Sequence, residues 1–185
     1  MLSNRERILV AAIDLGTTYS GYAFSFKDEY HKDPLKVRLN PIWNSWPFIS
    51  MKISTCILCN PNGEFHSFGH EAEDKYASLS EDNECQRWFF FRRFKTVLYA
   101  KQIKRGIEVQ DDNGKNMKAA KVFGMAIRYL RYHLLNTLDR MEEMETRVKV
   151  EDIHWILTVP AIWTDSAKDV MREAAMMVIV LPYLA

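Results

Sequence analysis

Residues 13–18 read IDLGTT, and most of the recognisable chemistry of the chain gathers there. Asp14 offers a carboxylate, Gly16 a position without a Cβ, and Thr17 and Thr18 two hydroxyls, all in one short turn. Phosphate binding needs backbone N–H groups that point inward, and glycine lets the backbone approach closely. The hydroxyls can donate to the same oxygens. A carboxylate at the strand end can hold Mg²⁺, usually through water. An acid and a glycine also suit an ordinary hairpin, so the turn alone leaves both readings open.

Two other segments invite chemistry. CILC (56–59) has the spacing of a zinc or redox pair, but no second pair completes four ligands. In a strand, Cys56 and Cys59 point to opposite faces, so buried small apolar cysteines in a reducing compartment are the better account. RWFFFRRFKTVL (87–98) places basic residues among aromatics, a combination that can bind nucleic acid. The net charge of +1 gives that reading no support. The expectation is a helix that buries Trp88, Phe91 and Leu98 and turns Arg92, Arg93 and Lys95 to water or a ligand.

These residues must be positioned by a fold, and 185 residues are enough for one with a sizeable core. Apolar residues make up 48% and charged residues 26%, as in ordinary globular proteins. The N-terminal apolar run is short and ends at Asp14, and the tail MMVIVLPYLA is also too short to span a bilayer. With the cysteine usage, this points to the cytoplasm.

Strands are expected at 8–13 and 19–26 around the turn, at 35–40, and at 52–58. The first three suggest an antiparallel meander. NPIWNSWPF (40–48) reads as a loop, because its prolines and asparagines break both periods. NPNGE (60–64) and DDNGK (111–115) are turns, and FHSFG (65–69) is a short strand or connector. Residues 118–141 carry apolar positions at helical spacing, with His133 on that stripe as a core or boundary residue. A charged connection (142–152) leads to a buried strand at 153–159, closed by Pro160. A helix at 164–177 follows, with Thr164 or Asp165 as N-cap. The pattern is α/β. The first strands and 153–159 would share one mixed sheet, and 41–117 would form an inserted α+β side subdomain between 1–40 and 118–185.

The turn gains meaning from a resemblance. AAIDLGTTYSGYAFSF is similar to the first phosphate loop of the actin, sugar-kinase and heat-shock ATPase superfamily. ILTVPAIWTDSAKDVMREAA (156–175) resembles the strand, turn and helix of the seventy-kilodalton heat-shock proteins. Trp163, MREAA (171–175) and FHSFG point to the divergent 12A/12B branch of that family. The likeness runs in patches from about residue 8 to 175, strong at both ends and looser between. A sugar or acid kinase of the same fold is the less favoured alternative.

The resemblance implies a ribonuclease H-like (actin-like ATPase) lobe that binds ATP or ADP with Mg²⁺. Asp14 would bind the metal through water. Gly16, Thr17 and Thr18 would cradle the β- and γ-phosphates, with Tyr19 flanking the loop. Lys95 resembles the catalytic lysine that approaches the γ-phosphate and the attacking water, although Arg92 or Arg93 could hold that place. Pro160 and Ala161 would turn the chain from strand to helix. The partners implied are a nucleotide and, for a chaperone, a protein client. The family cleft takes a second glycine-rich loop and a second acid from a second lobe. The glycines here are 16, 21, 63, 69, 106, 114 and 124, none adjacent, so that lobe is expected to be missing. The chain then reads as the truncated first half of an ATPase domain, probing two outcomes: a nucleotide-binding piece that hydrolyses ATP negligibly alone, or a non-enzymatic fragment that binds or interferes with partners.

Overall fold

The computed structural model describes residues 7–41, 43–45, 48–100, 102–104, 106–141 and 147–179. The segment 142–146 and the apolar tail from 180 lie outside the described residues. The elements in chain order are β1 (Leu9–Leu15), β2 (Tyr19–Phe26), α1 (Lys27–Lys32), β3 (Arg38–Leu39), β4 (Trp43–Ser45), β5 (Phe48–Ser50), β6 (Ile53–Ser54), β7 (Cys56–Cys59) and β8 (Phe65–Phe68). They continue with α2 (His70–Glu81), β9 (Phe89–Arg92), β10 (Glu108–Gln110), β11 (Asn116–Lys118), α3 (Ala119–Asp139), β12 (Ile153–Leu157) and α4 (Asp165–Ile179).

The fold is mixed α/β. Its main sheet runs β12-β1-β2-β3, with β6 also paired to β2. β1, β2 and β3 form the expected antiparallel meander, and β12 returns parallel to β1. Alternation along β1 buries Leu9, Ala11, Ile13 and Leu15 while leaving Val10 exposed, as a strand with one covered face requires. α3 covers that face with Phe123, Ile127, Leu130 and Leu134, and α4 packs beside it through Ala167, Met171 and Ala174. Each fully buried leucine or phenylalanine contributes about 1.5–3 kcal/mol relative to exposure.

A second sheet, β8-β7-β9, has a face toward each of two clusters. Ile57, Cys59 and Phe91 join the main core, whereas Cys56, Leu58 and Phe90 pack with Ala72 and Leu79 of α2. The two cysteines therefore do point to opposite faces. The core is continuous from the main sheet through Ile57, Phe68 and Phe94.

Several expectations need correction. Residues 87–98 are not a helix: Phe89–Arg92 is a strand paired with β7, and Phe94–Tyr99 is a 3-10 turn. A strand sandwiched between two apolar layers reads as a continuous apolar run, which periodicity does not distinguish from a buried helix. The 40–48 loop contains β4, which pairs with β5 as a hairpin. In 35–40 only Arg38–Leu39 is strand, and Leu35 and Val37 are exposed. The single strand expected at 52–58 divides at Thr55, β6 joining the main sheet and β7 the smaller one. β12 lies at the edge of its sheet, and Ile156 is exposed rather than buried. Thr164 does cap α4, accepting the Ala167 N–H on its hydroxyl at 3.3 Å.

Candidate phosphate-binding site

Strand register builds the site. Asp14 pairs with Gly21 and Leu15 with Ser20, so residues 16–18 close a tight hairpin. Gly16 is obligatory for geometry: a Cβ there would stand 2.1 Å from the Tyr19 carbonyl oxygen. The parallel alignment of Ile13 with Leu157 brings Thr158 beside Asp14. The Thr158 hydroxyl lies 3.3 Å from the Ile13 carbonyl oxygen and 3.4 Å from Asp14 Oδ1.

Asp14 is half-exposed. Lys52 Nζ donates to its Oδ2 at 2.7 Å, with both side chains about half in water. Such an exposed pair contributes at most about 1 kcal/mol, so Asp14 remains free to exchange partners. Thr17 is half-buried, and Thr18 and Tyr19 are exposed. Thr55 anchors the turn from below. Its N–H donates to the Thr18 carbonyl at 2.8 Å, and its buried hydroxyl lies 2.6 Å from that of Ser20.

Lys95 comes to this turn from a distant part of the chain. Its ammonium donates to the Leu15 carbonyl at 2.5 Å and stands 5.0 Å from the centre of the Trp163 ring. Only 5% of the residue is exposed, so of the two expected surroundings, water or a ligand, Lys95 does not face open water. Burial pulls its pKa below the ordinary lysine value; the Asp14 carboxylate works against that shift and the Lys52 charge adds to it. Tyr99 meets Trp163 edge-on at 5.7 Å. The buried Trp163 indole N–H finds no hydrogen-bond partner among the described residues.

The turn opens on the other side into a cleft of about 550 Å³, lined by Thr17, Thr18, Tyr19, Ser54, Arg92 and Arg93, among others. Arg92 is committed to Asp112, donating from Nε to Oδ2 at 2.7 Å. The structure thus brings Asp14, Gly16 and Lys95 together around Leu15, and Thr17, Thr18 and Tyr19 together with the arginines. Lys52, Thr158 and the Trp163 ring were not singled out from sequence as parts of the site. Thr158 belongs to the TVPAIW motif and was within reach, but nothing in the sequence links Lys52 to Asp14.

Both cysteines of CILC are buried. Cys56 Sγ donates to the Gly69 carbonyl at 3.2 Å, and burial pushes both thiols up, Cys59 to about 12. Among the described residues, no group of three or more His, Cys, Asp or Glu is placed to hold a metal, and no helix is long and apolar enough to cross a membrane.

No protein-family model matches the chain. It is 40% identical over 170 residues to heat shock 70 kDa protein 12B of Homo sapiens. It is 36% identical over 171 residues to heat shock 70 kDa protein 12A of Homo sapiens and of Mus musculus. The chain spans 24% of the length of these relatives, while 90–91% of its own length is matched. Through nine-tenths of its length, this chain is a homologue of the heat shock 70 kDa proteins 12A and 12B.

Proposed function

We propose that this chain supplies the first phosphate loop and the Mg²⁺-binding carboxylate of a nucleotide cleft of the heat-shock 70 kDa type. Its fold in this reading is a ribonuclease H-like lobe, residues 1–40 and 118–185, carrying 41–117 as an inserted subdomain. The observation that carries the proposal is the turn at Gly16, too tight for a side chain. It sits between a half-exposed carboxylate and a buried lysine brought from far along the chain. A hairpin selected only for its bend has no need of either.

In this reading the residues take the following roles. The N–H groups and hydroxyls of Thr17 and Thr18 receive the β- and γ-phosphates, which Gly16 allows to approach the backbone. Tyr19 flanks them at the cleft mouth. Lys95 exchanges the Leu15 carbonyl for the γ-phosphate, gaining a charged acceptor in place of a neutral one. Asp14 suits a metal held largely by water and phosphate, since a single exposed carboxylate serves Mg²⁺ in that way and an all-protein cage is not needed. The bound metal would neutralise phosphate charge; Asp14 positions it, and Lys52 must leave Oδ2 when it does.

One observation favours the alternative, an interaction module that binds no nucleotide. Lys52 and Lys95 already donate to Asp14 and the Leu15 carbonyl, so these two acceptors are satisfied without a ligand. Calorimetry of Mg-ATP against the 185-residue chain and its Asp14→Ala variant separates the two. Saturable binding that Asp14→Ala weakens by tenfold or more supports the nucleotide reading; absence of binding to the parent chain establishes the other. A chaperone role, a cytoplasmic location and protein clients belong to the same proposal. Turnover by the isolated chain is expected to be negligible, because phosphoryl transfer depends on electrostatic positioning from all sides of the cleft.

A further inference from the structure

Arg92, Arg93 and Lys95 leave the same short segment in three directions. Lys95 turns inward to the Leu15 carbonyl, and Arg92 is held by Asp112. Arg93 is exposed, lines the cleft beside Thr17 and Thr18, and has no acceptor for its guanidinium among the described residues. Its backbone is left-handed, with φ at 51°, a conformation that side-chain-bearing residues other than Asn and Asp seldom adopt. Of the described residues, only Asn83 shares it among non-glycines. That kink ends β9 and lets consecutive side chains diverge, so that Arg93 reaches the cleft while the chain dives to bury Phe94 and Lys95.

We infer that Arg93 is the cation that first meets the terminal phosphate of a polyphosphate ligand in this cleft, on the opposite side of the turn from Lys95. The inference deepens the nucleotide reading and rests on it for the identity of the ligand, but its anion chemistry can be tested separately. Three features favour this assignment over either neighbour. An arginine stays protonated and presents a planar fork suited to phosphate oxygens, whereas Lys95 is already donating and its charge is disfavoured by burial. Arg92 would have to abandon a carboxylate to do the same work. The acids on this side of the cleft are engaged as well: Asp112 by Arg92, and Glu73 by His70 Nδ1 at 3.2 Å. The Thr17 and Thr18 hydroxyls line the same cleft and add neutral donors to the Arg93 guanidinium. Arg93 therefore acts as a phosphate-binding residue.

The test uses inorganic tripolyphosphate and Mg-ATP as separate probes against the 185-residue chain, Arg93→Gly and Arg93→Lys. Glycine suits the left-handed backbone, so Arg93→Gly should melt no lower than the parent and still lose the guanidinium. Tripolyphosphate affinity is expected to fall by about tenfold to a hundredfold in Arg93→Gly, the range of one charge-assisted hydrogen-bonded contact. Arg93→Lys should recover part of the loss. If Mg-ATP follows the same order and adenosine binding does not change, the assignment stands together with the nucleotide reading. If tripolyphosphate depends on Arg93 while Mg-ATP fails to bind, the anion site stands and the nucleotide reading falls. If Mg-ATP binds and Arg93→Gly matches the parent with both probes, the nucleotide reading survives and this inference is overturned. A parent chain that ignores tripolyphosphate overturns it too.

Discussion

Tyr19 and Tyr22 lie on the same strand and face opposite ways, and the regions around them handle buried polarity differently. Tyr19 is 52% exposed at the Gly16 turn, and Tyr22 is 3% exposed against α3. Around Tyr22 the hydroxyl, the His133 ring and Thr137 form a neutral hydrogen-bonded group, beside which the buried Trp43 indole N–H has no partner among the described residues. The Tyr22 hydroxyl lies 2.8 Å from His133 Nδ1 and 3.0 Å from Thr137 Oγ1, and the Trp43 and His133 rings meet at 3.9 Å between centres. Burial raises the Tyr22 pKa to about 12 and lowers that of His133 to about 4, so neither carries charge near neutrality. At the turn, burial has instead taken in a cation, Lys95, and the left-handed Arg93 lines the cleft on the turn's other side. Buried neutral networks that are satisfied add stability and rigidity. A buried charge held by one carbonyl and one aromatic face is a poor investment in stability alone. Retaining it makes sense where an anion will complete the site.

Gly16→Ala should break this comparison most severely. The new Cβ meets backbone rather than a yielding side chain, so the turn must open and carry Thr17 and Thr18 with it. Urea denaturation should register a loss of about 1–3 kcal/mol, the usual effect of overpacking, and calorimetry should find Mg-ATP binding below detection. Parent-like affinity in this variant would mean that the turn does not touch the ligand.

A pair of conservative substitutions sharpens the contrast. Lys95→Met keeps the volume and removes the buried charge, so stability should hold or rise while Mg-ATP affinity drops by about tenfold or more. Tyr22→Phe removes one hydroxyl from a satisfied network and should cost about 1–2 kcal/mol with affinity unchanged. If both variants lose stability and neither loses binding, the two regions are merely two parts of one scaffold, and the functional distinction drawn between them is wrong.

The amino-acid pattern carried the paired strands β1 and β2, the return of β12 beside them, and α3, because each has strong periodicity or a clean alternation over many residues. It also carried Asp14, Gly16, Thr17 and Thr18, whose grouping is local. Lys95 was identified by resemblance, but its burial was not foreseen. Its depth follows from the kink at Arg93, and a left-handed arginine has no signature in composition or period. Phe89, Phe90 and Phe91 misled for a physical reason: the β7–β9 sheet is buried on both faces, so alternation vanishes. The Lys52–Asp14 pair joins two elements through β6, a strand short enough to leave no periodic trace. Contacts set by register between distant strands were the part that could not be read one segment at a time.

The most gradual effect expected is a pH dependence at the Tyr22 end. His133 titrates near 4 in the folded chain, first because burial opposes its charged form and second because the Arg140 charge does. An exposed histidine in the unfolded chain titrates near 6.5. Between these values the unfolded chain binds more protons, so stability rises with pH. The full contribution is present above about pH 6.5 and drains away as pH falls toward 4. The slope is at most about 1.4 kcal/mol per pH unit, and less for a ring that keeps some contact with water. Glu29 adds a slope of the same sign at lower pH: Arg38 and Lys36 hold its carboxyl near 2, so its contribution fades only as pH falls below about 4.5. Urea midpoints measured from pH 7 to pH 5 therefore isolate the histidine. His133→Gln should flatten the curve across that interval and leave phosphate affinity unchanged. A curve that keeps its slope in His133→Gln would move the titrating group elsewhere and remove the electrostatic basis for treating the aromatic end as the neutral half of the pair.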